Sequence, residues 1–299
     1  MCIHNTPPGI SQVIVRPFIN YSVSLFLFLS GYLSSAENWK PAKRVKKVVI
    51  PYVIWTLLYT VLSYHDSLRD IPIAFIKDLL TAQASAIMYY IFVYVELTLL
   101  IPIIDRLARS RYMWIGFAIS PAEIIFMRLI PMITGAEVNK YISIFMNISC
   151  LGWFTYYYLG YVIGNELINI RISKKTVAAL WLIGMVLQFA EGYWQYSIGI
   201  ENCGTQLKLS SILTGAYFCI SGWYFINENH KQIKWLKMIG DLSFGIYFSH
   251  LAVMAVLNKV PYYSNIFFLL KVVIVLFLST SLVLFGRKML ASEGYLLGF

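Results

Sequence analysis

The sequence has few charged residues and no extended polar segment. Charged side chains make up 13% of the 299 residues and apolar ones 59%, whereas about a quarter charged and half apolar is usual in a soluble domain. No linker or low-complexity stretch separates the apolar runs. The composition therefore predicts that the whole chain lies in a lipid bilayer, and no nucleic-acid partner is expected despite the formal net charge of +10.

Cysteine is also scarce, and its spacing excludes most cysteine chemistry. Cys2, Cys150, Cys203 and Cys219 are scattered without a C-x-x-C pair. We therefore expect neither a disulfide nor a bound metal. The first residues also lack the basic region and apolar core of a cleavable signal peptide, so the first apolar run is predicted to be retained as a span.

Apolar runs long enough to cross about 30 Å of hydrocarbon occur nine times along the chain. The fold class predicted is therefore all-α, a polytopic transmembrane helix bundle with about nine spans in this chain. The predicted spans are Phe18–Ala36, Val48–Tyr64, Ala86–Ile104, Tyr112–Thr134, Tyr141–Gly164, Val177–Ile198, Leu209–Asn227, Met238–Leu257 and Ile266–Phe285.

Lysine and arginine are distributed unevenly between the connections. Sixteen of the 24 fall on one alternating set of connections and five on the other. Because cytoplasmic loops carry the excess of Lys and Arg, the first set and the C-terminus are predicted to be cytoplasmic. The one long outer connection, Asp66–Ser85, alternates apolar and charged residues, which favours either a helix lying on the membrane surface or an amphipathic connector.

Several charged residues fall within the apolar runs, where each is a candidate for function. Glu96 is expected to face the bundle interior, either as a structural partner of another polar group or as part of a site. Glu123 and Arg128 share a run with Pro121 and Pro131. Mutual compensation of the two charges is the simpler interpretation, and a broken helix that lines a cavity is the alternative.

Two further patterns point to a site. Ser243, Tyr247 and His250 recur at i, i+4 and i+7 and so form a polar stripe on one face of an apolar helix, either lining a site or bonded within the core. The segment KPAKRVKK at residues 40–47 holds five cations. These cations could anchor the chain to anionic lipid or neutralise the phosphates of a cytosolic ligand.

At several positions the sequence resembles the acyltransferase 3 family of integral-membrane enzymes, which modify cell-surface glycans and related acceptors. The resemblance covers most of the chain, so a single membrane domain over residues 1–299 is expected. It rests on FLFLSGY at 26–32, RVKK at 44–47 followed by IPY, Tyr89-Tyr90-Ile91 with Pro102, YYYLGYVIG at 156–164 and SFGIYFSH at 243–250.

The resemblance implies which residues carry the chemistry. The family usually has ten spans, the first of which carries an Arg before a His, and His4 lies where that His belongs. The Arg would precede Met1, so the chain is expected to lack the first helix. His4 would be the catalytic residue, either as general base or as the residue that handles the acyl group, and Lys43, Arg44 and Lys47 would hold the phosphates of acyl-CoA. The residues expected to line the cavity are Glu96, Tyr89, Tyr157, Ser243, Tyr247 and His250.

These implications lead to a functional hypothesis with two alternatives. The protein is expected to transfer an acyl group, with acetyl the first choice, from acyl-CoA to a hydroxyl of an envelope polysaccharide or lipid-linked sugar. Acyl-CoA would be a co-substrate, with no cofactor bound permanently, and the location would be the inner membrane of a bacterial cell. The alternatives are a carrier or flippase that moves a lipid-linked sugar without chemistry, and an inactive truncated remnant.

Overall fold

The apolar runs fold as α-helices throughout the part of the chain that the computed structural model describes, namely residues 4, 6–169, 172–228 and 234–299. These residues contain no β-strand. Cys2, Arg171 and Lys231 lie outside them. The helices are α1 Ile10–Ile19, α2 Ser22–Tyr32, α3 Pro41–Ser63, α4 Ile71–Thr81, α5 Tyr89–Leu99, α6 Ile101–Ala108, α7 Ile115–Glu123, α8 Ile130–Thr134, α9 Lys140–Ile148, α10 Phe154–Gly164, α11 Lys174–Ser197, α12 Leu209–Glu228, α13 Lys234–Leu257 and α14 Phe268–Leu290.

Among the described residues, six helical segments are long and apolar enough to cross a membrane, and they correspond to six of the nine predicted spans. This confirms a polytopic helical bundle. The segments are Ile10–Tyr32, Pro41–Ser63, Ile115–Thr134, Lys174–Ser197, Lys237–Leu257 and Phe268–Leu290. The predicted span Leu209–Asn227 is the single helix α12.

The remaining two predicted spans are interrupted, which corrects their interpretation as continuous helices. The run 86–104 divides at Leu100 into α5 and α6, because Pro102 occupies the first turn of α6, where a missing amide is tolerated. The run 141–164 divides between α9 and α10, where the backbone becomes extended at Ser149. The first span also begins earlier than predicted, at Ile10 rather than Phe18.

The chain divides into two compact units, which we describe separately. Unit 1 comprises Met1–Asn5, Pro41–Phe92 and Lys231–Phe299, and unit 2 comprises Thr6–Lys40 and Val93–His230. The division falls within α5. The single domain expected over residues 1–299 stays a prediction.

Unit 2 is built around a close contact between α2 and α10. A Cβ atom added to Gly160 would overlap the carbonyl oxygen of Phe28, and one added to Gly31 would overlap that of Tyr157. Gly164 approaches Tyr32 in the same way. Glycine is therefore required at these positions, as in the small-residue helix contacts typical of membrane proteins. Two of the motifs that carry the family resemblance, FLFLSGY and YYYLGYVIG, thus pack directly against each other.

Four buried tyrosines on α10 fix the neighbouring segments of unit 2 by hydrogen bonds. Each hydroxyl has a partner, and none of the four bonds is longer than 2.9 Å. The pairs are Tyr156 with Ser211 O, Tyr157 with Ser34 Oγ, Tyr158 with Met113 O and Tyr161 with Asp105 Oδ1. A buried tyrosine needs such a partner, so these residues form the polar framework of the unit.

Unit 1 is built from α3, α4, α13 and α14. Trp55 of α3 stacks on Phe248 of α13, with ring centroids 6.2 Å apart and the planes inclined by 5°. Its indole Nε1 donates to the carbonyl oxygen of Leu297, 3.0 Å away. The C-terminal segment therefore folds back onto α3.

Helix α4 lies within the long connection Asp66–Ser85, for which the sequence favours either a helix on the membrane surface or an amphipathic connector. Ala74 and Asp78 are buried, and the Asp78 carboxylate accepts a hydrogen bond of 3.2 Å from Thr60 of α3. On its other side Ile73, Ile76 and Leu80 are exposed. The helix thus has one face packed on α3 and one apolar face suited to lipid.

Candidate active site

A buried histidine lies within α13 in unit 1. Only 6% of His250 is exposed. Its Nδ1 lies 3.1 Å from the carbonyl oxygen of Ile246 and 2.8 Å from that of Tyr247. Carbonyl oxygens only accept hydrogen bonds, so Nδ1 carries the hydrogen and Nε2 carries the lone pair of the neutral ring. The helix therefore fixes the tautomer and leaves Nε2 as the basic nitrogen.

The structure brings the two candidate histidines together. The rings of His4 and His250 have centroids 5.6 Å apart and planes inclined by 45°. His4 is exposed and His250 is buried. The sequence proposed the two residues separately, His4 from the family resemblance and His250 from the polar stripe. Their proximity is a property of the fold.

Aromatic side chains extend this cluster along α13. The ring of Tyr247 lies 6.4 Å from that of His250 and 5.5 Å from that of Tyr90. The Tyr247 hydroxyl donates to the carbonyl oxygen of Ile87, just before α5. Tyr89, the predicted cavity residue, begins α5 and is half-buried. We call His4, Tyr90, Tyr247 and His250 the histidine cluster.

Tyr59 on α3 is a member of the surroundings that sequence reasoning missed. Its hydroxyl donates to the carbonyl oxygen of Phe248 at 2.7 Å and accepts from the amide of Ala252 at 3.0 Å. These two backbone groups form one i, i+4 pair of α13, on either side of His250. A hydroxyl inserted at such a backbone pair links α13 to α3 by hydrogen bonds next to His250. In the sequence Tyr59 is one of three tyrosines in the predicted span Val48–Tyr64, and nothing there distinguishes it from the other two.

The serines near His250 have different environments. Ser243 donates its hydrogen to the carbonyl oxygen of Gly240 at 2.7 Å, one turn earlier in the same helix. Its hydroxyl is therefore used locally, although it lies on the predicted stripe. Ser249, which sequence reasoning did not select, is fully buried, and its hydroxyl has no hydrogen-bond partner among the described residues.

Glu96 and Tyr157, the other predicted cavity residues, lie in unit 2 and make structural contacts there. The Glu96 carboxylate accepts a hydrogen bond of 2.6 Å from the amide of Cys150, between α9 and α10. Tyr157 bonds to Ser34. Glu123 and Arg128 form an ion pair at 3.1 Å, which confirms that the two charges compensate each other.

The predicted phosphate-binding cations lie at the beginning of α3. Lys43 and Lys47 are exposed and Arg44 is half-buried, and the first turn contains no acidic residue. Cations at a helix N-terminus oppose the helix dipole, and two lysines at i and i+4 repel each other. An anion bound here would relieve both effects, so the geometry favours an anionic ligand.

Long apolar helices together with the histidine cluster, in which His250 is buried, define an integral membrane protein with a polar centre in unit 1. The family model described as an acyltransferase domain matches residues 1–286. The chain therefore belongs to the acyltransferase 3 family and is a membrane acyltransferase. Comparison with curated proteins and with solved structures gives no significant match.

Proposed function

We propose that the protein transfers an acyl group, in the first instance acetyl, from cytoplasmic acyl-CoA to a hydroxyl of an envelope polysaccharide or lipid-linked sugar. The observation that carries the proposal is the pairing of His4 with His250, whose ring centroids are 5.6 Å apart. A neutral imidazole next to a ring of fixed tautomer is a suitable base for activating a hydroxyl.

His4 acts as the general base in this reaction. Its imidazole accepts the proton of the acceptor hydroxyl while that oxygen attacks the carbonyl carbon of the thioester. The carbon–oxygen bond forms, and the carbon–sulfur bond then breaks. The leaving CoA thiolate takes up the proton from His4, which returns the imidazole to its neutral form.

His250 acts as a positioning residue for His4. The carbonyl oxygens of Ile246 and Tyr247 hold its Nδ1, so its ring cannot rotate without breaking these contacts. The contact of the two rings then limits the orientations of the exposed His4 side chain. Orientation of a base before reaction is a substantial part of catalysis.

Lys43, Arg44 and Lys47 bind the phosphates of acyl-CoA at the beginning of α3. Arg44 offers a guanidinium suited to bidentate contact, whereas Lys47 offers a point charge. The excess of Lys and Arg on alternate connections supports a cytoplasmic position for this segment and for the C-terminus. The same argument supports an inner-membrane location, with the acceptor on the outer side.

Mass spectrometry of envelope glycans from cells with and without the gene tests the proposed reaction. We expect an acyl ester that depends on the gene and disappears in His4→Ala. His65→Ala is the matched control, because His65 is exposed and pairs with Asp66 at 3.5 Å outside the histidine cluster. A carrier without chemistry, or an inactive remnant, would leave glycan acylation the same in all four strains, and that result would refute the proposal.

A further inference from the structure

Two adjoining cavities lie in unit 2, outside the histidine cluster. The first has a volume of about 530 Å³ and lies between the α7–α8 segment and α11. The second has a volume of about 670 Å³ and lies between the residues before α1 and the end of α11. Ile200 and Asn202 line both cavities. The connections around 135–140 and 198–208, which contribute to the lining, are both on the predicted outer side.

The first cavity displays one charged group of each sign. Arg128 uses Nε and Nη2 to bind the Glu123 carboxylate, and Nη2 also donates to the carbonyl oxygen of Met146 at 3.1 Å. Among the described residues, nothing accepts a hydrogen bond from its Nη1. Glu191 accepts from the amide and hydroxyl of Ser210 with Oε2 only. The cavity lining therefore includes an unused guanidinium edge and an unused carboxylate oxygen.

A π-helical turn produces this arrangement. Residues Ile124–Leu129 form a π-helix between α7 and α8. A wider turn brings residues five apart onto the same face, which allows Glu123 to pair with Arg128. Such turns occur frequently at functional sites. The ion pair fixes the guanidinium at the wall of the cavity. Ligand binding therefore does not carry the entropy cost of ordering this side chain.

The second cavity combines amides with an aromatic ring. Tyr196 is 42% exposed and contributes to the lining. Gln12 is 7% exposed, and its Oε1 has no hydrogen-bond partner in the part of the chain that the structure describes. Asn202 accepts from Arg16 at 2.9 Å through Oδ1, so its amide nitrogen is available as a donor. Amide groups beside an aromatic face suit a ligand with many hydroxyl groups and an apolar ring face.

The charges at the two cavities disfavour an anionic ligand. Glu137, Glu191 and Glu201 line them, whereas Arg128 is the single lining cation among the described residues. Two further cations lie nearby, since Arg16 donates to Asn202 and the buried Lys208 donates to the carbonyl oxygen of Cys203 at 3.2 Å. Hydrogen bonds to neutral acceptors leave these two charges in place, and the charge of Arg128 is balanced by Glu123. The four carboxylates of this region still outnumber its three cations, so a phosphate or uronate would meet a net negative charge.

We propose that the two cavities together bind a neutral oligosaccharide, the acceptor of the acyl group. Their combined size exceeds that of a typical small-ligand pocket of about 300–1,000 Å³, which favours several linked sugar units over one. The oligosaccharide donates hydroxyl hydrogens to Glu191 and accepts from Arg128 and Asn202, and one sugar ring stacks on Tyr196. This inference rests on the proposed function, because acyl transfer is what requires an acceptor.

Binding of soluble oligosaccharides to the detergent-solubilised full chain tests this proposal. The probes are a panel of neutral hexasaccharides (malto-, cello-, chito- and mannohexaose) and hexagalacturonate, which has the same length and carries a carboxylate on each unit. We expect saturable binding of at least one neutral probe and weaker binding of hexagalacturonate. Tyr196→Ala should weaken binding about tenfold, and Glu191→Gln by a comparable factor.

Tyr193→Ala is the matched control, because Tyr193 lies on the same helix, is 61% exposed and lines neither cavity. The Tyr193→Ala variant should bind the neutral hexasaccharides with the affinity of the wild type. Equal effects of Tyr193→Ala and Tyr196→Ala, stronger binding of hexagalacturonate, or no binding of any neutral probe would each overturn the proposal.

Glycan acylation in cells separates this inference from the proposed function. In one outcome the wild type acylates glycans, and the Tyr196 and Glu191 variants acylate glycans and bind the oligosaccharides equally well. The cavities are then not the acceptor site, although the proposed reaction stands. If binding depends on Tyr196 but no glycan is acylated, the reaction is refuted while the oligosaccharide site stands.

Discussion

Tyrosine clusters in the two units differ in what their polar atoms do. On α10 in unit 2, Tyr156, Tyr158 and Tyr161 are fully buried, and each hydroxyl is bound to a neighbouring segment. In unit 1, Tyr90 contacts Tyr247, whose ring lies beside His250, and His250 in turn contacts the exposed His4. Tyrosine content alone therefore does not identify a sugar site, because one cluster is a framework and the other borders reactive groups.

Disrupting the close contact between α2 and α10 in unit 2 should have the largest effect. In Gly160→Ala the new Cβ would overlap backbone of α2 at Phe28, which cannot move aside as a side chain can. We expect destabilisation of about 3 kcal/mol or more, by overpacking, and a strong loss of folded protein in detergent, measured by fluorescence size-exclusion chromatography.

Gly222→Ala is the control for this change, because a Cβ at Gly222 meets no other atom within 4 Å. Alanine also has the higher helix propensity, by about 1 kcal/mol. The Gly222 variant should be as abundant as the wild type. Equal loss in both variants would show that the contact between α2 and α10 is not what holds unit 2 together.

The second prediction concerns the two nitrogens of His250. An asparagine amide reaches the position of Nδ1, and a glutamine amide reaches that of Nε2. Since the helix carbonyls bind Nδ1, the nitrogen available to the rest of the cluster is Nε2. We expect His250→Asn to lower the turnover number for acyl transfer about 100-fold, the scale on which misplacement of a catalytic group slows a reaction, and His250→Gln to retain about tenfold more activity than the asparagine variant.

This prediction is measured as CoA release by membrane vesicles at saturating acyl-CoA. The KM for acyl-CoA should stay unchanged in both variants, because neither substitution removes a cation of the proposed phosphate site. Equal activity of the glutamine and asparagine variants would contradict a role for Nε2 and leave His250 as a packing residue.

The third prediction removes one tyrosine hydroxyl next to the histidine cluster and one from the framework on α10. Tyr59→Phe removes the hydroxyl that bridges Phe248 and Ala252 around His250, and Tyr156→Phe removes one bond of the framework. Each should lower the free energy of unfolding by about 1–2 kcal/mol. Only Tyr59→Phe should lower the turnover per folded molecule, about tenfold.

Stability in this pair is measured by thermal unfolding in detergent, and turnover by CoA release normalised to folded protein. If Tyr156→Phe lowers turnover as much as Tyr59→Phe, the distinction between framework and active cluster fails.

The smallest effect should come from the cations of α3. Lys47→Ala removes one charge from the proposed phosphate site, which should raise the KM for acyl-CoA about threefold to tenfold without changing the turnover number. Lys288→Ala, in the last turn of α14, is the control. An unchanged KM in Lys47→Ala, at low and at physiological salt, would assign the basic segment to lipid binding instead.

Much of the fold could be predicted from the sequence, because hydropathy reports directly on burial in lipid. The spans at Pro41–Ser63 and Phe268–Leu290 illustrate this, as does the pairing of Glu123 with Arg128. The interruptions at Leu100 and Ser149 were missed, since a short break does not lower the average hydropathy of a run. The π-helical turn was also missed, because its sequence has no distinct periodicity.

The site was only partly predictable for a different reason. His250 stood out as a polar residue in an apolar helix, but its contact with His4 depends on long-range packing that no local pattern encodes. Tyr59 was indistinguishable from the other tyrosines of the chain. The cavities of unit 2 are lined in part by the connection at 198–205, whose conformation depends on contacts such as that of Arg16 with Asn202.

Transfer of an isotope label tests whether acylation of the glycan depends on His4. Vesicles with the cytoplasmic face outward would receive acetyl-CoA labelled in the acetyl group, and the envelope glycan fraction would be analysed for alkali-labile label. We predict that vesicles with the wild type or with His65→Ala form labelled ester. Vesicles with His4→Ala should form no more label than vesicles that lack the protein. Equal labelling of glycans by the wild type and His4→Ala would contradict the account.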